Sequence, residues 1–128
     1  MTVQLNHTIV WSRDPQAGAH FLAEMLNLAP PTRFGPFHVV TVENGVSLDF
    51  MAKERGDPAM QHYAFEVSEA EFDAILGRIR QRGLDYWADP GRIRQGEINH
   101  NDGGRGVYWH DPSGHLLEII TRPYGSGT

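Results

Sequence analysis

The chain has 128 residues, 40% of them apolar and 21% charged, with a net charge of −5 and no cysteine. That length can bury a core without disulfide staples and fits one domain. The acidic balance argues against nucleic acid or an anionic membrane as the main partner. The absent cysteines exclude disulfides, thiolate metal sites and a cysteine nucleophile.

No basic leader followed by an apolar stretch is visible, and no segment has the length of a membrane span, so a cytoplasmic protein is expected. Fourteen glycines and eight prolines imply many turns and short strands. Val3 to Trp11 reads as a strand, with Leu5, His7, Ile9 and Trp11 on one face and Asn6, Thr8 and Val10 on the other. Asp14-Pro15 opens a helix, because Asp caps free N–H groups and Pro suits the first turn. Phe21, Leu22, Met25 and Leu26 form its apolar stripe, and Pro30-Pro31 ends it. His38 to Val42 and Val46 to Met51 read as strands joined by a tight Asn44-Gly45 turn. Residues 53–59 form a polar linker.

The pattern then restarts. Gln61 to Val67 reads as a strand, and Ser68-Glu69-Ala70-Glu71 as a capping box. Phe72, Ile75, Leu76 and Ile79 make the buried stripe of a second helix, which Gly83 ends, with Arg78, Arg80 and Arg82 towards solvent. Leu84 to Trp87 is a short strand, and residues 88–104 form a polar loop of the kind that carries function. Gly106 to His110 and Leu116 to Thr121 form a last hairpin around Asp111-Pro112-Ser113-Gly114, and a frayed tail is expected from Tyr124. The expected architecture is α+β. It is a single domain over 1–128, with module one at about 3–52 and module two at about 60–122. The modules form a pseudo-twofold pair.

Three polar residues fall in strands whose apolar neighbours imply burial: His7, His62 and Glu118. His7 and His62 stand at matching places in two similar strands, 55 residues apart, and Glu118 interrupts Leu116-Leu117-Glu118-Ile119-Ile120. A buried carboxylate finds a partner or protonates. Taken singly, each of the three reads as a satisfied structural residue, with Arg105 or Arg122 as possible partners for Glu118. Taken jointly, two imidazoles and one carboxylate are the ligand set of a facial triad with open positions on a divalent metal.

With these motifs in view, the chain resembles the vicinal-oxygen-chelate superfamily: glyoxalase I, fosfomycin-resistance proteins, extradiol ring-cleaving dioxygenases and bleomycin-resistance proteins. Leu5-Asn6-His7 is similar to the family's first-ligand strand. Gln61-His62-Tyr63-Ala64-Phe65 is similar to its second-ligand strand, and Tyr108 to Glu118 to its closing hairpin. The resemblance implies two βαβββ modules with sheets curled around a metal, His7, His62 and Glu118 as its ligands, and a homodimer. Asp49 stands where glyoxalase I has a further glutamate ligand; its other reading is a solvent-facing strand carboxylate.

Asn99-His100, Val107-Tyr108, Asp111-Pro112-Ser113-Gly114 and Glu118 together satisfy the extradiol dioxygenase signature. That resemblance implies catalytic roles for His100 and Tyr108 beside Fe(II), with Mn(II), Ni(II) or Zn(II) as other ions such a site accepts. The implied substrate is a small molecule with adjacent oxygens. The chain departs from those dioxygenases in lacking a histidine between residues 39 and 61 and in having one domain where most have two. Other readings are a fosfomycin-resistance-type transferase, with Ile9 where those proteins carry threonine, and a glyoxalase-type lyase. Arg92, Arg94 and Arg105 could hold an anionic substrate. A last reading is a metal-free binder of the bleomycin-resistance kind, its cleft lined by Trp11, Trp87, Trp109 and Tyr86.

Overall fold

A computed structural model describes residues 2–127. The chain divides into two compact units, with the boundary between Ala59 and Met60. The first carries β1 (His7–Ser12), α1 (Pro15–Leu26), β2 (Thr32–Phe34), β3 (Phe37–Thr41) and β4 (Ser47–Ala52). The second carries β5 (His62–Glu66), α2 (Glu69–Gln81), β6 (Tyr86–Trp87), β7 (Gly106–His110) and β8 (Leu116–Ile120). Each unit is therefore a βαβββ module, as the family resemblance implies. Each sheet has the same strand order, β1-β4-β3-β2 and β5-β8-β7-β6. The helical crossover in each module makes the first and last strands parallel neighbours, while the hairpins run antiparallel.

Local chemistry accounts for the element ends. Asp14 accepts a hydrogen bond from the Ala17 N–H at 3.1 Å to cap α1, and Pro15 takes the first position. The helix ends at Asn27, which adopts φ 55°, before the double proline is reached. Its buried stripe is Gly18, Ala19, Leu22, Ala23 and Met25; Phe21 and Leu26 are only half-buried. Small residues form much of this stripe because the helix lies close on β4. A β-carbon at Gly18 would stand 3.1 Å from the Phe50 ring. In α2 the full capping box is present, and Phe72, Ile75, Leu76 and Ile79 are the buried face. Gly83 turns the chain at φ +66°, and the Leu84 N–H closes the helix on the Ile79 carbonyl.

Three expectations change. β1 starts at His7 and not Val3, because its partner begins at Ser47 and pairs with His7 in register. β2 was not expected. Its three exposed residues pair only with β3, and the run after Pro31 is too short to show a period.

The tail also departs from simple fraying. Tyr124 bonds Glu118, and the Gly125 and Gly127 amides donate to Asp102. No helix among the described residues is long and apolar enough to cross a membrane.

Candidate metal-binding site

Glu118 lies in the middle of β8, with Ala64 of β5 on one side and Tyr108 of β7 on the other. It is wholly buried. A bare carboxylate there would be costly, so each of its oxygens has a partner. Oε1 is 3.0 Å from His62 Nε2, and Oε2 accepts a hydrogen bond from the Tyr124 hydroxyl. The Tyr108 hydroxyl is 2.8 Å from that of Tyr124, and the Tyr108 ring stacks on the His62 imidazole at 5.8 Å. Neither arginine weighed as a partner reaches Glu118. Arg105 is held by Glu69 and Asp73 of α2 and lies over Phe72; Arg122 donates to the Ser126 carbonyl.

The orientation of His62 follows from its other nitrogen. Nδ1 is 2.9 Å from the Leu116 carbonyl, which can only accept, so Nδ1 carries a hydrogen and Nε2 is the nitrogen turned to Glu118. A hydrogen bond between Nε2 and Oε1 requires one shared proton. A cation displaces such a proton when it binds.

The pair therefore fits a divalent metal by donor chemistry. It also fits by spacing, since 3.0 Å separates two neighbouring donors that each stand about 2.1 Å from one ion. Within this unit no third His, Asp or Glu among the described residues completes a set.

Burial pushes the Tyr108 phenol well above its ordinary range, and the contacts with Tyr124 and Glu118 add to the shift. Tyr124 is raised for the same first reason, then by Glu118. Both phenols stay protonated at neutral pH, so they serve as hydrogen-bond donors and not as bases.

His62 and His7 are not buried, contrary to the expectation from their neighbours. The His62 side chain is 44% exposed while that of Glu118 is 1% exposed. His7 is exposed, with Nδ1 on the Asn6 amide oxygen at 2.7 Å. Leu5 and Ile9 on its face are themselves 69% and 38% exposed. An apolar strand face signals burial only when something covers it, and this face instead borders an open groove of about 430 Å³.

Asp49 lines the same groove and accepts a hydrogen bond from the Ser47 hydroxyl at 2.8 Å. It faces Ile9 two residues after His7, just as Glu118 faces Ala64 two residues after His62. His100 is exposed, directly ahead of the 3-10 turn Asn101–Gly103. The contacts around Glu118 are made instead by His62, Tyr124 and, through Tyr124, Tyr108.

Tyr124 is the member of this cluster that sequence reasoning missed. A lone aromatic among Pro, Gly and Ser at a chain end carries no periodic signal. The Asp111-Pro112-Ser113-Gly114 turn after β7 has a structural task. The buried Asp111 carboxylate caps the Ser113 and His115 amides, and His115 Nδ1 accepts from the Gln61 N–H, tying β5 to the hairpin.

Two features weighed for other functions take different places. Trp109 is fully buried core and cannot line a cleft. Arg94 pairs with Glu97, and Arg105 is committed to α2, so neither is a free anion-binding group.

A family model described as the Glyoxalase/Bleomycin resistance protein/Dioxygenase superfamily matches residues 4–119. Among solved structures, two oxidases are similar over essentially the whole length. ChaP-H1 is 65% identical with a TM-score of 0.94, covering 97% of this chain and 99% of its own. ChaP-H2 is 62% identical with a TM-score of 0.96, and the match covers all of both chains.

Among curated proteins, a metallothiol transferase, FosB of Shouchella clausii, is 42% identical over 60 residues. That match covers 47% of this chain and only 37% of FosB. A glutathione transferase, FosA of Serratia marcescens, is 27% identical over 124 residues, covering 93% of this chain and 81% of FosA.

Proposed function

Because the chain belongs to the glyoxalase/bleomycin resistance protein/dioxygenase superfamily, we propose that it is a metal-dependent oxidase acting on a small molecule with adjacent oxygen atoms. Members of this superfamily use divalent metals, and the chain is an enzyme of that kind. One observation carries the reading. A buried carboxylate faces an exposed imidazole whose tautomer is set by a backbone carbonyl, at the spacing of two donors to one ion. In this reading His62 and Glu118 are two of the ligands, and the family resemblance implies His7 as the third. A divalent ion held there, iron(II) in our assignment, supplies Lewis acidity towards adjacent oxygens and redox chemistry with O₂.

The chain's own residues do the rest. The Leu116 carbonyl aims His62. Tyr108, kept protonated by burial, holds its O–H on the Tyr124 hydroxyl and turns it to developing negative charge on the substrate. The partly exposed His62 leaves one side of the pair open for substrate, while Glu118 stays dry. His100, on the exposed loop, is assigned a lesser role in proton transfer. The protein acts as a cytoplasmic homodimer in this reading.

The oxidase assignment is supported by the full-length likeness to ChaP-H1 and ChaP-H2. The test is to purify the protein without a metal-affinity resin, measure its metal, and follow O₂ uptake with catechol-like substrates after anaerobic iron loading. O₂ consumption that requires iron is expected. A second reading, thiol transfer to fosfomycin, rests on the FosA likeness. Loss of fosfomycin in the presence of glutathione and Mn(II), without O₂ uptake, would select it instead.

A further inference from the structure

The segment after β8 reaches the His62–Glu118 pair through Tyr124. Asp102, itself at φ 58°, accepts the Gly125 amide at 3.1 Å and the Gly127 amide at 3.2 Å through a single carboxylate oxygen. Gly125 adopts φ +80°, and a β-carbon at Gly127 would collide with the Asp102 backbone, so glycine is required for this approach. Arg122 donates to the Ser126 carbonyl at 3.1 Å, and the Ser126 amide donates to that of Pro123 at 3.1 Å, folding the segment into a compact turn.

The turn delivers the Tyr124 hydroxyl to Glu118 Oε2 while leaving Tyr124 as a residue 56% exposed. Its phenol sits at the site, and its body lies on the surface. A contact of this form can be withdrawn at the cost of little buried area.

We propose that residues 122–127 form a strap over the site, latched by Tyr124 and hinged on Asp102, and that Tyr124 is a positioning residue for Glu118. With Oε2 engaged by Tyr124, Oε1 is the oxygen presented to His62 Nε2. Tyr108 steadies the latch through its 2.8 Å hydroxyl contact. Opening the strap uncovers Glu118 and admits an ion; closing it restores the carboxylate orientation. The part of this inference that concerns the ion rests on the metal reading above, whereas the strap itself does not.

The full-length protein, stripped of metal, is compared as wild type, Tyr124→Phe and Asp102→Ala, with far-UV circular dichroism confirming that each is folded. In the metal-free arm, exchange of the Gly125 and Gly127 amides is followed by NMR. Both variants are expected to exchange at least about tenfold faster than wild type. Wild-type exchange rates in Tyr124→Phe would overturn the latch.

In the second arm, Co(II) is added as a spectroscopic probe. Tyr124→Phe is expected to weaken binding by about 10- to 100-fold and to change the visible absorption of bound Co(II), as loss of a partner orienting a ligand does. Asp102→Ala, which does not touch Glu118, should raise the Co(II) association and dissociation rates together and leave the ratio near that of wild type. An unchanged spectrum and affinity in Tyr124→Phe would overturn the positioning role. Failure of wild-type protein to bind Co(II) would overturn the metal reading, and the exchange arm would still decide the strap.

Discussion

The two modules share a strand order and a register, yet among the described residues only the second assembles a histidine–carboxylate pair. In both, the histidine opens the first strand, and an acidic residue on the last strand faces the position two residues further on. In the second module the acid is glutamate, wholly buried, with His62 at 3.0 Å. In the first it is Asp49, one methylene shorter, half-buried and held by Ser47.

The second module also has two additions that the first lacks: the loop between β6 and β7, and the tail that brings Tyr124 to Glu118. The same topology can thus give an open groove or a closed polar cluster. One side-chain length and the segments that follow the strands decide which.

The largest effect should come from Glu118→Gln, which keeps the shape but removes the charge. Metal affinity should fall by more than the roughly 10- to 100-fold expected for losing an outer partner, with circular dichroism unchanged. Elemental analysis after dialysis is the check. Wild-type metal content in that variant would break the contrast between the modules.

Asp49→Asn sharpens the same contrast, since the Ser47-held carboxylate should tolerate it with metal content unchanged. A loss of metal there would mean that the two halves do equivalent work.

Tyr108→Phe should lower turnover about 10²-fold, as loss of one preorganised donor does, without removing a limb of the pH–rate profile. The phenol is pushed above its ordinary value, so it is protonated across the working range and contributes no titration there. His100→Ala should cost less than Tyr108→Phe in the same assay.

The smallest effect concerns stability alone. Ser68→Ala removes the cap of α2 and should cost about 1 kcal/mol, read as a lower urea midpoint. The Ser68 backbone N–H and, after it, the Ser68 hydroxyl hold Glu71 below its ordinary carboxylate value, and Ser68→Ala removes only the hydroxyl's share. A depressed folded-state pKa gives stability that is present above the unfolded value and is lost as pH falls through the folded one. The wild-type margin over Ser68→Ala should therefore shrink in acid.

Local chemistry made much of this legible in the amino-acid order. Asp14-Pro15, the Ser68–Glu71 box, Asn44-Gly45 and Gly83 each act within a few residues of themselves, so their effects survive without knowledge of the fold. The repeat of His7 and His62 likewise pointed to paired modules, and Glu118 stood out because a carboxylate among Leu and Ile requires a partner. Exposure was the weak point. Leu5, Ile9 and Trp11 alternate as a buried face does, but what covers a strand face is set by segments distant in sequence.

The order of residues alone thus determined the repeated strand-helix-strands pattern without β2, the helix caps and the candidate carboxylate, because each depends on near neighbours and on side-chain period. Tertiary structure alone decided that Glu118 meets His62 and Tyr124, that Arg105 serves α2, and that Trp109 is core. Those are contacts between residues separated by strands and turns, and only the packed sheet brings them within hydrogen-bonding distance.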